Sequence, residues 1–121
     1  MLIGLRTALY PVSDLSAAKT WYTQVIGHGP YFDQPFYVGF EVGGFELGLV
    51  PAGTPGTTGP RPLWGVESAT ATKTKLLALG AELLDDVQDV GDGIKVGAVR
   101  DPFGNRLGFI ENPHFNLAKV R

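Results

Sequence analysis

The sequence predicts an α+β fold built from two βαβββ modules, and three observations predict it. The first is a repeat. Val12-Ser13-Asp14-Leu15-Ser16-Ala17-Ala18-Lys19-Thr20 aligns without a gap on Val66-Glu67-Ser68-Ala69-Thr70-Ala71-Thr72-Lys73-Thr74. The second is that each copy enters an apolar helical pattern that a glycine ends, Gly27 in one and Gly80 in the other. The third is a set of matched strands. Val38-Gly39 answers Val96-Gly97, and Leu47-Gly48-Leu49 answers Leu107-Gly108-Phe109, with two extra residues in the second turn. A chain of 121 residues with two matched halves holds two small modules that bury one another's faces.

Each element follows from local pattern. Residues 3–10 read as a strand that Pro11 ends. Ser13 is expected to cap a helix, with Asp14 in the first turn where a negative charge suits the dipole. Leu15, Ala18, Tyr22, Val25 and Ile26 then share one helical face, and Gly27 stops the helix. Residues 30–33 form a short strand before a Gln34-Pro35 turn. In residues 36–42, Phe36, Val38, Phe40 and Val42 face one way and Tyr37, Gly39 and Glu41 the other. Gly43-Gly44 makes a hairpin turn, and residues 45–50 return with Phe45, Leu47 and Leu49 on the apolar face.

Residues 51–61, rich in Pro, Gly and Thr, read as an exposed linker between a first module over 1–50 and a second over 62–121, all within one compact domain. The second half repeats the order. Residues 62–66 are a strand, a helix opens near Ser68 and ends at Leu79, and residues 81–87 and 95–100 are strands. Asp101-Pro102-Phe103-Gly104-Asn105 is a turn and residues 106–111 the last strand; the tail from Asn112 has no strong pattern.

Composition excludes several functions. Apolar residues make up 44% and charged residues 18%, which is a folding composition. The net charge of −2 and scattered Lys and Arg argue against nucleic acid as a partner. The absence of cysteine removes disulfides, thiolate metal sites and thiol nucleophiles. Met1-Leu2-Ile3-Gly4-Leu5-Arg6 is too short for a signal peptide and no apolar run approaches a membrane span, so a soluble cytoplasmic protein with no membrane partner is expected.

Val12-Ser13-Asp14-Leu15 leading into Trp21-Tyr22, and Asp101-Pro102-Phe103-Gly104-Asn105-Arg106-Leu107 as closing turn and strand, resemble the glyoxalase/bleomycin-resistance/dioxygenase superfamily, or vicinal oxygen chelate proteins. The resemblance covers residues 5–113. It implies two βαβββ modules whose curved mixed sheets enclose a cleft, and frequent dimerisation, so a homodimer is expected. It also implies where metal-dependent members hold their ion. Those four positions carry Thr7, Gly48, Arg61 and Gly108 here, none a credible ligand. No metal and no cofactor are therefore expected. His28 at a helix end and His114 in the tail read as surface residues. Glu41 and Glu46 flank the same hairpin as a solvated rim pair.

Strand alternation lists the face opposite the helices. It carries Thr7, Leu9, Tyr37, Gly39, Glu41, Glu46, Gly48 and Val50 in the first half. In the second it carries Arg61, Leu63, Lys95, Gly97, Val99, Arg106, Gly108 and Ile110. The expected ligand site takes Thr7, Leu9, Tyr37, Gly39, Glu46, Gly48, Arg61 and Leu63, with Gly97, Val99, Arg106, Gly108 and Ile110. Glycines here either leave room for a ligand or relieve sheet curvature. Trp21 lies beside the core stripe and suits a dimer contact, as does Tyr31-Phe32. Three functions stay open. One is a metal-free protein binding a small planar or apolar molecule, as in antibiotic sequestration. Another is a metal-dependent lyase, isomerase or ring-cleaving dioxygenase. The third is a metal-free enzyme using Glu46, Glu41 or Tyr37 as acid or base.

Overall fold

The computed structural model describes residues 6–58 and 61–119. The chain divides into two compact units, Met1–Gly56 and Thr57–Arg121, each an α+β module with one helix and one four-stranded mixed sheet. The boundary falls inside the Pro-Gly-Thr stretch.

The first unit runs β1 (Thr7–Pro11), α1 (Leu15–Ile26), β2 (Phe32–Gln34), β3 (Tyr37–Val42) and β4 (Phe45–Val50), in the sheet order β1-β4-β3-β2. Positions 3–5 of the expected first strand lie outside the described residues. Asp14, not Ser13, caps α1: its backbone is extended and its Oδ1 accepts the Ala17 N–H at 3.0 Å. Gly27 ends the helix at φ +94°, where its N–H reaches the Thr23 carbonyl at 2.9 Å. The helix packs on β3 and β4, with Ala18, Trp21 and Tyr22 buried on its side and Val38, Phe40, Leu47 and Leu49 on the sheet's. Each large apolar side chain so buried contributes about 1.5–3 kcal/mol. Trp21 is 8% exposed and meets Tyr22 edge-on at 4.8 Å, so its ring is core and not the dimer contact the sequence suggested.

The second unit runs β5 (Leu63–Gly65), α2 (Ala69–Ala78), β6 (Glu82–Gly91), β7 (Ile94–Arg100) and β8 (Arg106–Glu111), ordered β5-β8-β7-β6. Ser68 caps α2 by accepting the Ala71 N–H at 3.1 Å. Glu111 adds a tie from the sheet, its Oε1 accepting the Ala69 N–H at 2.9 Å. That bond identifies the face of Glu111 as the one that packs on α2. A short 3-10 turn, Leu117–Lys119, ends the described tail.

The two sheets differ by one residue of register. In the first, Gly39 pairs with Gly48. In the second, Gly97 pairs with Phe109, and Ala98 is the partner of Gly108. Paired residues share a face. Lys95, Gly97 and Val99 therefore lie with Leu107, Phe109 and Glu111 on the helix side, and Val99 and Phe109 are fully buried. This corrects the expectation that Lys95, Gly97 and Val99 face away from the helix. The sequence repeat implies two extra residues in the second turn; the ladder accommodates one, continuing until the Asp101 N–H meets the Asn105 carbonyl at 2.8 Å. One residue of slip exchanges the faces of β7.

Gly97 has a packing role of its own. A Cβ there would stand 2.9 Å from Phe109 Cε2 and Cζ and 3.2 Å from Val87 Cγ2. Phe109 is fully buried and has nowhere to go. We expect Gly97→Ala to lower unfolding free energy by about 1–3 kcal/mol through overpacking. Urea denaturation with an unchanged m-value checks it; wild-type stability would place Gly97 away from the core.

Candidate functional site

The face of the first sheet opposite α1 is built from rows of paired residues. One row reads Phe32, Gly39, Gly48, Leu9 across β2, β3, β4 and β1. Two glycines thus stand side by side, flanked by a ring and a branched chain. Tyr37 lies two positions before Gly39, and Glu46 two positions before Gly48, so antiparallel pairing sets them diagonally across the glycine pair. Without Cβ atoms beneath them, their side chains meet over it.

Tyr37 donates its hydroxyl to Glu46 Oε2, and Tyr31 donates to Glu46 Oε1. Tyr31 stands just before β2, held by its N–H to the Gly39 carbonyl at 3.0 Å. A Cβ on Gly39 would meet Tyr37 Cε1 at 3.0 Å and both Glu46 Oε2 and Tyr31 Cε1 at 3.4 Å. A Cβ on Gly48 would meet Leu9 Cδ2 at 2.7 Å and Tyr37 Cζ at 2.8 Å. The space left by these glycines is taken by the chain's own Tyr37 and Leu9, not left as an empty slot. Gly108 behaves alike in the second unit, where a Cβ would stand 2.9 Å from Leu63 Cδ2 and 3.0 Å from the Pro62 carbonyl oxygen.

Around this seat the surface is apolar and accessible. Tyr31 and Phe36 are about two-thirds exposed, Leu9 is 59% exposed and Phe32 39%. Phe32 is the hub, its ring centroid 6.5 Å from Tyr31, 6.3 Å from Phe36 and 5.8 Å from Tyr37. A depression of about 420 Å³ lies on the other side of Tyr31 and Glu46 from Phe32, at the hairpin end, lined by Arg6, Thr7, Glu41, Gly44 and Phe45 as well as Tyr31 and Glu46. The expected Glu41–Glu46 rim pair is a register pair, but the two carboxylates part. Glu41 Oε1 turns to the Gly44 N–H at 2.7 Å, while Glu46 turns inward to the phenols.

The sites expected from sequence separate accordingly. Thr7, Leu9, Tyr37, Gly39, Glu46 and Gly48 share the helix-free face of the first sheet. Leu63, Gly108, Ile110 and Arg106 share that of the second. Arg61 is exposed and precedes β5. Arg106 donates from Nη2 to Asp85 Oδ2 at 2.5 Å, and its buried Nε has no hydrogen-bond partner. Strand alternation missed Tyr31, which lies outside any strand; only its place beside Phe32 hinted at it.

The four positions at which the family resemblance implies metal ligands do not suit an ion. Gly48 and Gly108 have no donor atom, Thr7 offers an exposed hydroxyl, and Arg61 is a cation. Among the described residues no group of three or more His, Asp or Glu side chains could hold a metal. Among those residues, too, no helix is long and apolar enough to cross a membrane.

The phenols are tuned by where they sit. Burial, then the hydrogen bond to Glu46, then the Glu46 charge push Tyr37 up from 10.0 to about 12. The same hydrogen bond, with smaller help from burial, raises Tyr31. Both remain proton donors through neutral and mildly alkaline pH. A folded value above the unfolded one means that Tyr37's contribution to stability is whole below about pH 10 and lost as pH rises towards about 12. Phenolate absorbance should show one tyrosine titrating near 12 in the wild type and moving back towards 10 in Glu46→Gln. An unchanged titration would break the link to Glu46.

Comparison with the curated proteins finds no match. Solved structures match in fold. A glyoxalase-related enzyme from Fulvimarina pelagi is 23% identical, with 93% of this chain and 90% of that one covered at a TM-score of 0.74. A lactoylglutathione lyase from Agrobacterium tumefaciens is 20% identical, with 96% and 100% covered at 0.77. TioX from Micromonospora sp. ML1 is 20% identical, with 89% and 98% covered at 0.70. These identities establish shared architecture and no more. The family model spans nearly the whole chain: over residues 4–109 it matches, and the chain belongs to, the Glyoxalase/Bleomycin resistance protein/Dioxygenase superfamily.

Proposed function

We propose that this chain is a metal-free binding protein that holds a small, flat, largely apolar molecule on the helix-free face of its first sheet. The observation that carries the reading is the cluster of Tyr31, Phe32, Phe36 and Tyr37, whose two phenol hydroxyls meet one carboxylate. Small-molecule sites are generally apolar and aromatic with few orienting polar groups. Exposed rings on one face are costly to keep unless something covers them. Glycine at 48 and 108 supports the metal-free part, since neither supplies a ligand atom where metal-dependent relatives need one. Sequestration of an antibiotic or other toxic aromatic is the use that best suits a site with no catalytic ion. A cytoplasmic homodimer belongs to the same reading; light scattering at micromolar concentration should then give twice the chain mass, and a monomer would remove the dimer from it.

The test is a panel of aromatic natural products titrated into ¹⁵N-labelled protein. Shifts are expected at Phe32, Gly39 and Gly48, unchanged by a chelator. Tyr37→Ala should weaken the best binder about tenfold, equivalent to ~1.4 kcal/mol of lost ring contact. Shifts confined to the second unit, or binding abolished by the chelator, would refute the proposal.

A further inference from the structure

A purely apolar ligand leaves one group on this face unaccounted for. Glu46 is half-buried, and any ring laid across Tyr31, Phe32 and Tyr37 removes more of its water. Desolvating a carboxylate is costly unless a cation or strong donor meets it. Among the described ion pairs none involves Glu46; its partners are the two neutral phenols. Each carboxylate oxygen keeps a second lone pair after accepting one hydroxyl. The rings themselves favour positive charge. Tyr31 and Tyr37 both direct their hydroxyl hydrogens at Glu46 and away from an incoming group, and the Phe32 ring lies 6.5 Å from the one ring and 5.8 Å from the other. Three rings and a carboxylate are the composition of an ammonium cage. A ligand carboxylate would instead meet Glu46 as a like charge, with Glu41 opposite it on the neighbouring strand.

We propose that Glu46, Tyr31, Tyr37 and Phe32 form an ammonium subsite, so that the ligand class is an aryl compound bearing a protonated or quaternary amine. This deepens the binding reading above and rests on it. The nitrogen sits against Glu46 between the two tyrosine rings, and the aryl body extends over Phe32 and Phe36.

The experiment compares two soluble probes of nearly the same shape, 2-phenylethylammonium and 2-phenylethanol, titrated into the full ¹⁵N-labelled chain at pH 7 and low salt. Both should shift the glycine pair, and the ammonium should bind about tenfold tighter. Its advantage should shrink as sodium chloride rises towards about 1 M. Glu46→Gln should remove the advantage, bringing the affinities of the two probes to within about twofold of each other. If the alcohol binds the same residues as tightly as the ammonium, or Glu46→Gln keeps the preference, the ammonium subsite is wrong and the apolar site survives. If neither probe shifts this face, both readings fall. Should Glu46→Gln fail to fold, the wild-type ratio decides alone.

Discussion

The pairing of Gly39 with Gly48 is the constraint on which this site depends. Opposite positions in an antiparallel ladder place two Cβ atoms side by side on one face. Omitting both opens a floor wide enough for a tyrosine ring to lie down. Tyr37 takes that floor, reaches Glu46 diagonally, and Tyr31 closes on the carboxylate from outside the sheet. On the other face Phe40, Leu47 and Leu49 are fully buried and α1 packs on their strands. The core therefore sets the register, and the register sets the site.

The same reasoning explains why two repeated modules are not two equal sites. In the second unit the slip of β7 puts Gly97 under Phe109, where it serves the core. Its helix-free face carries Ala98 beside Gly108, with Leu63 over the glycine, and has no tyrosine–carboxylate group. Arg106 there pairs with Asp85, and Arg100 with Glu82 at 3.4 Å. The Arg100–Glu82 pair is exposed and worth little in stability, while Arg106 is largely buried beside a half-exposed Asp85. Modules that share a fold thus present different helix-free faces, through one residue of register and a few side chains.

Much of the architecture was legible because its signals are local. Repeat, alternation, caps and turn glycines all depend on residues a few positions apart. Asp14 against Ser13 was not decided that way, because either side chain can accept from the first turn and only backbone dihedrals choose. Alternation brought Tyr37, Gly39, Glu46 and Gly48 to one face, as the ladder has them. It failed at Gly97 and Val99, because parity carries across a loop only when the loop's paired length is known. Bulges along β6 break alternation for the same reason. Nor does parity say what fills the space above a glycine. The two glycines read either as room for a ligand or as relief of sheet curvature, and side chains of this chain occupy the space above them.

The glycine floor seats Tyr37 against Glu46, and the proposed binding of an aromatic ammonium depends on that seat. Gly48→Ala tests it most directly. The atoms nearest its Cβ would be the ends of the Tyr37 and Leu9 side chains on the helix-free face, which can swing outwards, so the core should hold. A crystal structure of Gly48→Ala should show an unchanged sheet with Tyr37 displaced from Glu46, and calorimetry should show binding of an aromatic ammonium lost. A variant that keeps Tyr37 on Glu46, or binds as the wild type does with Tyr37 displaced, would contradict the account.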